Sequence, residues 1–217
     1  MPVVPHRFLF RYQLAVRLVD GLPRRGSSLL DLPAKCALPD FGDLDGARPF
    51  GELRAAWNTA GIGLSVRVSG KKMPIACDPR EPAESDGLQL WIDTRPTQTI
   101  HRASRFCHYF CILPQGAGRR GDEAAAFQLP IALAREEAPQ ARSESLRASC
   151  SLAPDGYLLE TWIAAEALSG FEPESNPRLG FYYGLRDAEL GEQFLSVGRE
   201  LPFAHDPSLW ATLELVS

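Results

Sequence analysis

Within SDGLQLWIDTR (residues 85–95), Gln89, Trp91 and Asp93 recur at every second position. In an extended chain that spacing places an amide, an indole and a carboxylate on one side, with Leu88, Leu90 and Ile92 on the other. An amide and a carboxylate hydrogen-bond hydroxyl groups, and an indole stacks on the apolar face of a ring. The row therefore has the chemistry of a surface for a sugar or another small polar molecule. RFCHYFCIL (105–113) repeats the pattern, with Arg105, Cys107 and Tyr109 pointing one way. Arg beside aromatic residues is the composition of binding hot spots. His205, in the loop before the last apolar run, is placed at the edge of the same face.

Other candidate chemistry is weaker. Cys107, His108 and Cys111, with His101 nearby, have metal-ligating side chains. On one strand, however, Cys107 and Cys111 lie about 13 Å apart at ~3.3 Å per residue, and His108 points the other way. Zinc needs ligands at ~2.0–2.3 Å, so no metal is expected here. GAGRRG (116–121) matches G-x-G-x-x-G, but no parallel crossover follows and Pro130 interrupts any helix, which makes it a loop. G-x-S-x-G, H-E-x-x-H and P-loop signatures are absent. The four His lie beside no nucleophile signature, and no enzyme or cofactor is expected.

These residues need many short elements to position them. Eighteen Gly and eighteen Pro among 217 residues favour frequent turns. ELRAAW and IGLSVRV flank NTAG, and SLRASCSL and YLLETWI flank APDG, which predicts two hairpins. FLFRYQLAVRL (8–18) reads as an opening strand, with a bent strand or a short helix as the alternative, and AAEALSG (164–170) as a short helix closed by Gly170. The expected fold is all-β: a two-sheet antiparallel β-sandwich, jelly-roll or immunoglobulin-like, with one or two short helices. Residues 1–217 form one domain, with a loop-rich lead-in over 1–49 and a long polar insertion over 114–144. Trp57, Leu64, Val66, Leu88, Leu90, Ile92, Phe106, Phe110, Leu158, Ile163, Phe181 and Leu213 are the expected core. A net charge of −4 argues against nucleic acid and anionic membranes. Five irregularly spaced Cys read as reduced thiols, and the Arg-interrupted N-terminus as neither signal nor span, so the expected setting is the cytoplasm.

The order of WNTAGIGLSVRV, SDGLQLWID, YLLETWIAAEAL, RLGFYYGLRDAELGEQ and DPSLWATLEL resembles carbohydrate-binding module family nine and the broader DOMON-like sandwiches, over most of residues 50–217. The resemblance implies a ligand on or beside one sheet face. In the sugar-binding members two tryptophans sandwich the sugar; the matching positions here are Ala83 and Ala204. The family's glutamate falls on Gln89 and its arginine on Cys107. With Cys107 included, the ligand-binding set is Gln89, Trp91, Arg105, Cys107, Tyr109 and His205. Trp91 is the expected exposed stacking platform. The DOMON-like haem option needs a Met/His axial pair, and the internal methionine, Met73, sits in a loop. Two readings follow. One is a non-catalytic module for a saccharide or small polar ligand. The other is an interaction or structural domain whose face is covered by the 114–144 segment or by a partner, a second copy of the chain included.

Overall fold

The computed structural model describes residues 6–26 and 28–217; the first five residues of the lead-in and Ser27 lie outside it. Eleven strands follow in order: β1 (Gln13–Leu18), β2 (Gly51–Asn58), β3 (Gly61–Ser69), β4 (Gly87–Asp93), β5 (Cys107–Ala117), β6 (Glu123–Leu129), β7 (Leu146–Ala153), β8 (Gly156–Ala164), β9 (Arg178–Asp187), β10 (Gly191–Phe194) and β11 (Ala211–Val216). Both expected hairpins form. Asn58 pairs with Gly61 across Thr59–Ala60, and Ala153 pairs with Gly156 across Pro154–Asp155.

The all-β expectation holds, with four corrections. The strands form one continuous hydrogen-bonded path, β6-β5-β4-β9-β11-β1-β2-β3-β8-β7, with β10 attached to β9. This sheet curls until its end strands β6 and β7 touch, so it is nearly closed. It is also not wholly antiparallel, because β1 runs parallel to both β11 and β2. The expected helix is a single 3-10 turn at Ala165–Ala167, and no α-helix occurs among the described residues. Gly170 does take the left-handed conformation (φ 81°), where a Cβ would press on Phe106 and Thr94. Finally, about a third of the 114–144 segment is strand, the end of β5 and all of β6: GAGRRG turns one into the other, with Gly118 and Gly121 at positive φ, and 130–142 stays loop.

Apolar side chains from most strands fill the inside of the curl, with Leu64, Leu90, Ile92, Phe110, Ile163, Phe181 and Leu213 fully enclosed. Phe106 and Leu158 are half-buried instead. Leu159, not Leu158, faces the core, since β8 is apolar on both faces. Its outer face carries Glu160, which accepts hydrogen bonds from the backbone N–H of Leu29, Leu30 and Asp31 and so pins the long β1–β2 loop. Near the starts of β4 and ends of β9, the buried Lys71 Nζ lies 3.1 Å from Asp86 and 2.9 Å from Asp187. Burial pulls the Lys71 ammonium toward deprotonation, but hydrogen bonds to Asp187 and Asp86 outweigh it and raise its pKa. The triad ties the chain just before β4 to the end of β9, two of the strands that carry the candidate site.

Candidate functional site

Strand β4 lies between β5 and β9, so its outward row meets side chains from both. Trp91 is opposite Tyr109 on β5 and Tyr182 on β9. Gln89 is opposite Cys111 and Gly184. Gly184 leaves room there, because a Cβ would approach the Phe194 ring to 3.3 Å. The result is a pocket of about 220 Å³, floored by Gln89, Trp91, Tyr109 and Gly184 and walled by Ile131, Phe194, Phe203 and the ends of two loops.

Trp91 is not the exposed platform expected from alternation; it is 2% exposed. Tyr109 stacks on it (centroids 4.5 Å apart, planes 5° apart), and Tyr182 and Phe203 pack edge-on. Among the described residues its Nε1 has no hydrogen-bond partner. A central strand covered by a neighbouring ring and by the 195–204 loop leaves little of such a side chain in water. The half-buried aromatic surfaces facing the pocket belong to Tyr109 and Phe194, with Trp91 supporting Tyr109 from behind. The Tyr109 hydroxyl donates to Gln89 Oε1 (3.0 Å), and Gln89 Nε2 donates to the Ala83 carbonyl (2.8 Å). Both polar groups are thus held in place by the protein itself. Burial moves the Tyr109 phenol far above its ordinary pKa, so it stays a neutral donor.

The rim is ionic. Arg186 bridges Glu84 (3.2 Å) and Glu192 (3.3 Å), while Arg199 holds Glu192 at 2.6 Å. Its hydrogen bond to Arg199 lowers the Glu192 pKa despite partial burial. Two cations and two anions cancel, so the pocket presents alternating donors and acceptors without net charge.

The structure brings Gln89, Trp91 and Tyr109 together and leaves the other three outside. Arg105 lies before β5 begins, exposed, over the Phe106 ring (5.0 Å) and 3.9 Å from Glu136. Cys107 is buried beside Ser104 and Asp93. His205 is half-buried and lines neither this pocket nor the larger cleft beyond the loop. Sequence reasoning missed Phe194, Phe203, Arg186, Glu192 and Arg199. The β9–β10 hairpin turn and the loop after it bring them in, and their only sequence signal is an Arg-Asp strand end followed by Gly. Ala83 and Ala204 do line the pocket.

Catalytic and metal chemistry finds little support. Ser208 Oγ and Asp206 Oδ2 both meet the same nitrogen of His101, Nδ1, at 3.2 and 3.0 Å. A proton relay needs the hydroxyl and the carboxylate on opposite ring nitrogens. Burial pushes the Cys107 and Cys111 thiols up to about 12 and those of Cys77 and Cys150 to about 11, which makes them poor nucleophiles. Among the described residues, no group of three His, Cys, Asp or Glu is arranged to hold a metal ion.

No family model and no curated protein matches the chain. Solved structures do. A family 9 carbohydrate-binding module from Caldicellulosiruptor kristjanssonii, in complex with cellotriose, superposes with a TM-score of 0.61 at 12% identity, covering 95% of this chain and 94% of that one. The chain has the fold of a family 9 carbohydrate-binding module. A glucose complex of a family 9 module from that organism matches at TM-score 0.57 and 12% identity, over 94% and 95% of the two chains. A candidate carbohydrate-binding protein from Bacteroides uniformis matches at TM-score 0.54 and 18% identity, over 95% and 100%.

Proposed function

We propose that the protein is a non-catalytic binding module that takes a neutral saccharide into the pocket between Tyr109 and Phe194. The observation that carries this reading is the prearranged pair Tyr109–Gln89 beside a charge-balanced Arg/Glu rim, on the face of a fold whose solved neighbours include complexes with glucose and cellotriose. Aromatic faces would meet the C–H side of a sugar ring, and Gln89, Glu192 and Arg199 its hydroxyls. A charged sugar would have to displace a rim ion pair, which disfavours it.

The affinity should be low. The pocket, about 220 Å³, suits one ring. About twelve heavy atoms at ~0.3 kcal/mol each give about 4 kcal/mol, a millimolar Kd. Calorimetric titration with glucose, cellotriose and glucuronate tests this: weak heats from the neutral sugars and none from glucuronate are expected. The absence of heat from all of them at tens of millimolar refutes it. The second reading, a structural or interaction domain that has lost its sugar site, draws on the buried Trp91 and on alanine at both positions 83 and 204.

A further inference from the structure

A second and larger cavity lies on the other side of the 195–210 loop. Phe203 and Ala204 face the saccharide pocket, whereas Leu201 and Pro202 face a cleft of about 670 Å³. That volume is within the range of small-molecule sites, ~300–1,000 Å³. The other wall is the segment that was expected to be strand over 8–12. It opens instead as a short 3-10 helix, His6–Leu9, the alternative reading, and runs along the cleft before β1, with Phe8, Leu9 and Phe10 exposed to 44, 69 and 56%. The segment is tied down. Arg7 donates to the Phe194 carbonyl, the Tyr12 hydroxyl donates to the Arg7 carbonyl, and Tyr12 stacks on Phe41 at 4.0 Å. Three consecutive apolar side chains held in water beside a mostly apolar cleft are unusual for a surface without a ligand.

The charge in the cleft points to the head group. Arg11 stands at the lip, and among the described residues its one side-chain partner is the neutral Gln98, at 3.3 Å. Asp206 is the acid in the lining, and its two oxygens are already engaged by His101 (3.0 Å) and Ser208 (2.6 Å). We infer that this cleft binds a small amphipathic anion, an aromatic or acyl carboxylate, with its apolar body against Phe10, Leu201 and Leu209 and its anionic head on Arg11. Phe8, Leu9, Phe10, Leu201 and Leu209 supply a contiguous apolar wall, which suits an apolar body better than a ring bearing a hydroxyl on every carbon. The occupant differs in kind from the saccharide, and the inference stands whether or not the first pocket binds one.

Two fluorescent probes that differ in one group test it: 1-anilinonaphthalene-8-sulfonate, and N-phenyl-1-naphthylamine, which lacks the sulfonate. At low ionic strength the folded protein should bind the sulfonate saturably at one site, and decanoate should displace it. R11Q should weaken sulfonate binding about tenfold, as expected for loss of a charge-assisted contact at an exposed site, while leaving the uncharged probe unchanged. R11K should restore most of the loss. T99W, at an exposed position on the cleft mouth, should weaken both probes. Melting temperatures should match wild type throughout, which separates a lost site from a lost fold. Unsaturable or absent sulfonate binding overturns the inference, and so does equal affinity in wild type and R11Q.

Discussion

His108 faces the core on β5, fully enclosed, its ring parallel to Phe110 at 6.0 Å, and among the described residues neither ring nitrogen has a partner at good hydrogen-bond geometry. Burial pulls its pKa from 6.5 down to about 4, outweighing the opposing pull of the nearby Ser169 backbone. The unfolded chain therefore takes this proton first, and stability present above pH 6.5 is lost as the pH falls toward 4. A shift of that size corresponds to about 3 kcal/mol. Asp93 works in the opposite sense. Burial raises its carboxyl from 3.8 to about 6, against a backbone hydrogen bond from Arg95, so the folded chain holds the proton more tightly. Its ionisation costs about 3 kcal/mol at neutral pH, relieved as the pH falls from 6 toward 4. In wild type the two trends oppose each other and nearly cancel. His108→Phe keeps a flat ring against Phe110 and removes the orphaned nitrogens, so stability at pH 7 should hold or rise by about 1 kcal/mol. On acidification the variant keeps only the Asp93 trend and should gain about 3 kcal/mol over wild type between pH 7 and 4. Asp93→Asn should lose about as much over that range. Urea unfolding followed by tryptophan fluorescence at four pH values reads both differences, in which the remaining carboxylates cancel. A flat difference between His108→Phe and wild type would refute the placement of a neutral, unpartnered His108 in the core.

Tyr109→Ala should abolish measurable saccharide binding, a loss of ~1–3 kcal/mol in calorimetry, since it removes both the aromatic face and the hydroxyl held on Gln89. Ala83→Trp or Ala204→Trp should strengthen binding of glucose by about 1 kcal/mol, because both positions line the pocket and an added ring supplies a second face. Lys71→Met should cost about 3–5 kcal/mol by urea unfolding, as it leaves the buried carboxylates of Asp86 and Asp187 without their counter-charge. A loss below 1 kcal/mol would show that the triad is solvated.

The two hairpins were legible because NTAG and APDG carry turn chemistry that acts locally. The closure of the sheet was not, since the parallel ladders of β1 with β2 and β11 join segments far apart in sequence. The run 8–10 is apolar enough for a strand, yet it begins as a 3-10 turn, meets no ladder partner among the described residues, and stays in solvent. Period-two reading placed Gln89, Trp91 and Tyr109 on one face correctly. The same reading overran the start of β5 at Cys107 and so included Arg105, which lies in the preceding turn. Alternation tells which way a side chain points but not what covers it. For that reason Trp91 could be assigned to a face and still not be recognised as buried beneath Tyr109 and Phe203. The rim residues Arg186, Glu192 and Arg199 meet through the β9–β10 hairpin, a tertiary arrangement with no periodic signature.

The proposed saccharide position, between Tyr109 and Phe194, can be read residue by residue. Backbone amide chemical-shift mapping during titration of the full chain with cellotriose tests it most directly. Saturable shifts should concentrate on residues 83–89, Tyr109, Gly184 and residues 192–199, and be lost in Tyr109→Ala. No shifts at tens of millimolar, or shifts confined to the cleft around Arg11, would contradict it.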